Sequence, residues 1–191
     1  MMAMLIAWQV CSKVNYPSDK RFTKNILVIT PNLTVKQRLE VLKNSCEENY
    51  YSQFSIVPPE LQDRLTQGKI IIHNWQALMY ETEDDIAKRR SIDKRPPKSD
   101  NAYSRELVGD MKNILVINDE AHHAYRIIDG NKRKKLSKEE KESQREATVW
   151  IEGLDRIDRA RRITACYDFS ATPFVPGINV NDEEGLFKWI V

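Results

Sequence analysis

Asn113-Ile114-Leu115-Val116-Ile117-Asn118-Asp119-Glu120-Ala121-His122-His123 is the stretch from which the fold can be read. Its apolar run, Ile114-Leu115-Val116-Ile117, has no polar alternation, which is the pattern of a strand covered by helices on both faces. The run breaks into two carboxylates and two imidazoles, so the polar cluster begins where the strand leaves the sheet. Ligands of open parallel sheets bind outside that end of the strands. The stretch therefore predicts an α/β fold with a mostly parallel sheet and a catalytic edge.

Nucleoside triphosphate hydrolysis suits such a cluster. Mg²⁺ keeps most of its waters and takes one or two protein carboxylates, which Asp119 at a strand end can provide. Glu120, next in sequence, is in reach of a water aligned on a γ-phosphate, where it can orient that water and accept its proton. A dedicated metal centre built from Asp119, Glu120, His122 and His123 is a weaker reading. Adjacent histidines rarely turn to one ion, and the H-E-x-x-H spacing that sets two imidazoles on one helical face is absent.

Two further strand ends have a similar look. Ile26-Leu27-Val28-Ile29 runs into Thr30-Pro31-Asn32, and Thr164-Ala165-Cys166-Tyr167-Asp168-Phe169 runs into Ser170-Ala171-Thr172-Pro173. Asp119-Glu120-Ala121-His122 resembles the Walker B or DEAH box of superfamily 2 helicases, Ser170-Ala171-Thr172-Pro173 resembles their SAT motif, and Thr30-Pro31-Asn32 resembles their early nucleic-acid-contacting motif. The set stands in the family's order and spans most of the chain. The resemblance is closest to the Res subunit of type III restriction enzymes and related DEAD/DEAH-box proteins.

The resemblance implies a RecA-like domain of the P-loop NTPase type, with helices on both faces of the sheet. It implies ATP as substrate, Mg²⁺ held by Asp119, and hydrolysis assisted by Glu120 and His122. Ser170 and Thr172 would couple the nucleotide state to nucleic-acid contacts at Thr30, Pro31, Asn32 and Asn74. DNA is the implied track, with RNA as the alternative. The further partners implied are a second RecA-like domain, which carries an arginine finger in this superfamily, and a restriction-modification subunit. The function class opposed to this ATPase is a scaffold that contacts nucleic acid or partners without turnover.

The chain departs from the family in lacking both the second RecA-like domain and the phosphate loop. None of its six glycines (Gly68, Gly109, Gly130, Gly153, Gly177 and Gly185) falls in a G-x-x-x-x-G-K-[ST] phosphate loop. The opening Met1-Met2-Ala3-Met4-Leu5-Ile6-Ala7-Trp8 has helical composition without a capping residue, as does the helix that follows that loop in the superfamily. The expectation is a first RecA-like domain truncated at its N-terminal side, over residues 1–191, inactive alone. No nuclease motif is visible.

With 191 residues, one α/β domain is expected. Thirty Lys and Arg against 28 Asp and Glu leave a net charge of +2, so any basic surface must be local. Cys11, Cys46 and Cys166 are odd in number and widely spaced, which argues against disulfides and thiolate metal sites and for a reducing cytoplasm. Nothing at the amino end is long enough to span a bilayer.

Between the motifs, Thr34 is expected to cap a helix carrying Val35, Leu39 and Leu42. Tyr50-Tyr51 and Phe54-Ser55-Ile56-Val57 suggest a short strand, Pro58-Pro59 breaks it, and residues 60–65 restart a helix. Lys69-Ile70-Ile71-Ile72 reads as a further buried strand, leading to Asn74 and to Trp75, which could equally be core or a stacking platform. Residues 81–110 read as a charged, loop-like insertion. A second charged run, about 130–145, contains Lys132-Arg133-Lys134-Lys135; it reads as a solvated helix or a phosphate grip. Ala147, Trp150, Ile151, Leu154 and Ile157 recur at helical spacing and predict an amphipathic helix covering the sheet.

Overall fold

A computed structural model describes residues 1–81, 96–124 and 138–171. The described strands are β1 (Asn25–Thr30), β2 (Lys69–Asn74), β3 (Ile114–Asp119) and β4 (Ile163–Phe169). They form one sheet in the order β2-β1-β3-β4, with every pairing parallel. Parallel strands need crossover connections, so all four finish on the same edge. The register sets Thr30 beside Asn74, Ile29 beside Asn118, and Asp119 beside Phe169.

The apolar strands are buried on both faces because successive side chains point to opposite sides. Ile26, Val28, Leu115 and Ile117 pack with Ala3, Ile6, Ala7 and Val10 of α1 (Met2–Asn15). Leu27, Ile29, Ile114 and Val116 face the other way, onto the long helix that leads into β4, Lys138–Arg161. Its Trp150 and Ile157 are fully buried, while Ala147 and Leu154 are nearly so. The charged residues 138–145 are its first turns, the solvated-helix reading of that run. Lys132-Arg133-Lys134-Lys135 lies outside the described residues.

Three expectations are corrected. The helix after β1 is α2 (Leu33–Leu39), and Asn32, not Thr34, caps it, because Asn32 Oδ1 accepts from Val35 N at 2.9 Å. The stretch expected as a strand at 50–57 begins as the helix α3 (Tyr50–Gln53), capped by Asn49. Tyr50 and Phe54 stack edge-to-face at 5.1 Å, a pairing that helical i,i+4 spacing creates. The helical restart follows as a 3₁₀ turn, Pro59–Leu61, and α4 (Gln62–Leu65).

The third correction falls in the insertion at 81–110. Its second half forms α5 (Asp100–Val108), and only residues 82–95 lie outside the description. Ser99 caps α5 by accepting from Ala102 N, and Gly109 stops it in a left-handed conformation, φ +60°. Asp100 bonds Arg156 and Arg159 of the long helix, α6, at 2.7 Å each, and the Arg156 guanidinium lies 4.4 Å from the Tyr103 ring. Charge that suggests a solvated loop is here spent on fastening one helix to another.

Candidate catalytic edge

β3 delivers its polar end by burying everything before it: Ile114, Leu115, Val116, Ile117 and Asn118 are fully inaccessible. Asp119 is half-buried at the exit. Burial, reinforced by the neighbouring Glu120 carboxylate, pushes its carboxyl above the usual range, although the Glu120 backbone N–H partly offsets this. Glu120 has φ +51° and ψ +48°, a left-handed conformation that is costly for a residue with a Cβ. That turn swings the chain out of the sheet into a 3₁₀ turn, Ala121–His123. Backbone strain of this kind persists where the surroundings enforce it, and it clusters at functional sites.

The turn brings His122 back to β4. Its Nδ1 lies 2.9 Å from Ser170 Oγ and 3.4 Å from Glu120 Oε2. Two strand-end motifs that are far apart in sequence therefore meet through one imidazole. Thr172 and Pro173, the rest of the second motif, lie outside the described residues. His123 turns the other way, its Nδ1 3.4 Å from Glu146 Oε1 of α6, with the two imidazole rings 4.5 Å apart.

The ends of β1 and β2 form the other half of the edge. Thr30 is fully buried, and its hydroxyl donates to Asn32 O at 3.0 Å. It shapes the loop from inside, so its hydroxyl is not on the surface. Pro31 and Asn32 carry the accessible part of the loop, although Asn32 Oδ1 is occupied as the cap of α2. Asn74 donates to Gln76 at the exit of β2. Trp75 is half-buried and packs on the α6 side of the sheet, the core alternative of the two readings.

The family model described as type III restriction enzyme, res subunit, matches residues 1–174. The chain belongs to that family. No curated protein and no solved structure matches it. The Res-subunit family is one of superfamily 2 helicase-type ATPases. At the family level, that makes the expected function helicase-like and ATP-dependent, with ATP and Mg²⁺ as the general requirements and nucleic acid as the general partner. The parallel sheet with helices on both faces is the α/β, RecA-like arrangement of the domain. No helix among the described residues is long and apolar enough to cross a membrane.

In this Res-subunit domain, the candidate catalytic edge rests on a buried polar network that sequence reasoning missed. Asn118 Nδ2 donates to Asp168 Oδ1 at 2.7 Å and lies 3.1 Å from Cys166 Sγ, while its Oδ1 accepts from Trp150 Nε1 at 3.0 Å. Every polar atom of that amide has a partner, which makes its burial tolerable. The network pins α6 and β4 to the residue directly before Asp119. The available signal was an Asn ending an apolar run one position ahead of the carboxylates.

Proposed function

We propose that this domain is the DEAH-bearing half of an ATP-driven motor that translocates along or remodels DNA. The observation that carries the reading is the sharing of His122 Nδ1 between Glu120 and Ser170. In either tautomer that nitrogen lies within reach of both groups, so the two contacts compete for it. A change at Glu120 on hydrolysis is thus felt at the end of β4. Ser170, with Thr172, would pass it to the nucleic-acid contacts.

The residues fit a hydrated Mg²⁺. Asp119 and Glu120 are adjacent carboxylates with no Lys or Arg ion pair among the described residues, and burial disfavours charge on Asp119 without a cation. No group of three or more candidate ligands occurs among the described residues, as suits an ion held through water by one carboxylate and not caged by protein. When bound, the ion would supply positive charge to offset the charge that develops on the phosphates. Asp119 would hold its hydration shell, Glu120 would orient the attacking water and take its proton, and His122 would set the Glu120 carboxylate. Pro31, Asn32 and Asn74 would meet the DNA backbone, with Thr30 holding their loop in shape.

The phosphates also need a lysine-bearing cradle, and no G-x-x-x-x-G-K-[ST] stretch occurs in the 191 residues. We place that cradle, the second RecA-like domain and any restriction-modification subunit outside these residues. The same missing loop is the observation that favours the second reading, a scaffold without turnover. Mn²⁺, a paramagnetic substitute for Mg²⁺, should broaden the amide signals of residues 118–122, and Asp119→Asn should abolish the effect. Broadening centred elsewhere, or surviving in that variant, would remove Asp119 from its role. In a protein competent for hydrolysis, Glu120→Gln should stop phosphate release while ATP still binds; normal turnover would remove Glu120 from that role, and no turnover in the unaltered protein would leave the scaffold reading.

A further inference from the structure

The four strands also begin in register, and what gathers at that opposite edge is positive charge. Lys24 precedes β1, Lys69 opens β2, Lys112 leads into β3, and Arg161 and Arg162 join α6 to β4. Hydrogen bonds tie these starts into a row. Lys69 N donates to Lys24 O at 2.8 Å, and Asn25 Nδ2 donates to Lys112 O at 2.7 Å. Asn113 N then donates to Arg161 O at 3.0 Å, and Ile114 N to Arg162 O at 2.9 Å.

Lys24, Lys69, Lys112 and Arg162 are exposed, and none of the five cations forms an ion pair among the described residues. The buried Nε of Arg161 has no hydrogen-bond acceptor there. Carboxylates share the edge as well, among them Asp158, whose Oδ1 accepts from Ile163 N at 2.7 Å, and Asp110, which is exposed; Asp19, in the loop before β1, is paired with Arg21.

We propose that this edge is a second nucleic-acid contact, binding the phosphate backbone of DNA on the side of the sheet away from Asp119 and Glu120. Strands about 4.8 Å apart set the cations in a line about 15 Å long, the form of a groove for a polyanion and not of a pocket for a small one. In a chain of net charge +2, so many unpaired cations on one edge mean a local positive field that the average conceals. A helix C-terminus would explain Arg161 alone, as a complement to the helix dipole. Lys24, Lys69 and Lys112 stand at strand starts, where sheet dipoles are small and call for no such complement. The inference shares no residue with the catalytic edge and does not rest on that edge's chemistry.

The test is fluorescence anisotropy of a labelled duplex, titrated with the 191-residue chain across a salt series. Replacing Lys24, Lys69 and Lys112 together by Gln should weaken binding at low salt at least about tenfold. The slope of log affinity against log salt should fall by about 2.7, at roughly 0.9 per lost phosphate contact. Each single Lys→Gln variant should lower the slope by about 0.9, which keeps the test open if the triple variant folds poorly. Lys141→Gln, an exposed cation in the first turn of α6 about 30 Å along that helix from Arg161, should leave the slope unaltered. Wild-type affinity and slope in the lysine variants would overturn the proposal. So would displacement of the duplex by polyglutamate as effectively as by unlabelled DNA, since that would make the edge a face for acidic proteins.

Discussion

Asp119 carries a carboxyl that the fold has made reluctant to ionise, and this has a measurable sign. A folded-state value raised above the unfolded one means that the native state holds the extra proton. The stabilisation is complete below the unfolded carboxylate range and is lost as pH rises through the folded value. The ionised side chain is therefore a burden at neutral pH in the absence of a cation. Asp119→Asn should raise the thermal midpoint at pH 7–8, with the gain shrinking as pH falls toward 4. A gain independent of pH, or a loss at pH 8, would refute the assignment. Mg²⁺ should raise the wild-type midpoint while leaving that of Asp119→Asn where it was.

At the scale of elements, Gly153 shows why the middle of α6 is not simply a helix with a weak residue in it. A Cβ there would sit 2.8 Å from Leu78 Cβ, 2.8 Å from Tyr103 Oη and 3.2 Å from Leu78 O. The glycine is what lets α6 lie against the turn after β2 and against α5. Helix propensity alone would favour alanine by roughly 1 kcal/mol, whereas overpacking costs about 1–3 kcal/mol. Gly153→Ala should lower stability by about 1 kcal/mol in urea denaturation, and a net gain would show that the contact gives way. The strands and α6 were legible in the sequence because their apolar periodicity is local. The helix α5 was not, because its acidic and aromatic residues, Asp100 and Tyr103, make sense only against Arg156. The strand expected near Phe54 failed for the converse reason: the residues are apolar, but the sheet offers no neighbour for them.

For the whole molecule, the decisive fact is that Glu120, His122 and Ser170 meet at one edge of the sheet while no G-x-x-x-x-G-K-[ST] loop occurs in the 191 residues. The meeting of Glu120, His122 and Ser170 was legible in motifs at strand ends. The burial of Thr30 and the Asn118 network were not, because they depend on which strands are neighbours. The chain alone should fold and should fail to hydrolyse ATP, since loss of phosphate positioning and of an arginine finger, worth about 10³–10⁵ in rate by itself, act together. Calorimetric titration with Mg²⁺-ATP, beside a phosphate-release assay with and without DNA, checks this. Micromolar binding or DNA-stimulated release would show the site to be complete.

The strand order has a further consequence, in time. Of the described strands β1 is made first, yet it lies inside the sheet, with one edge paired to β2 and the other waiting for β3, whose Leu115 is the partner of Ile26. On a ribosome adding about 5–20 residues per second, that hydrophobic edge stays open on the order of ten seconds after Ile26 is made. The nascent chain is then most prone to aggregate, and slower synthesis between β2 and β3 should lower its soluble yield without changing the finished protein.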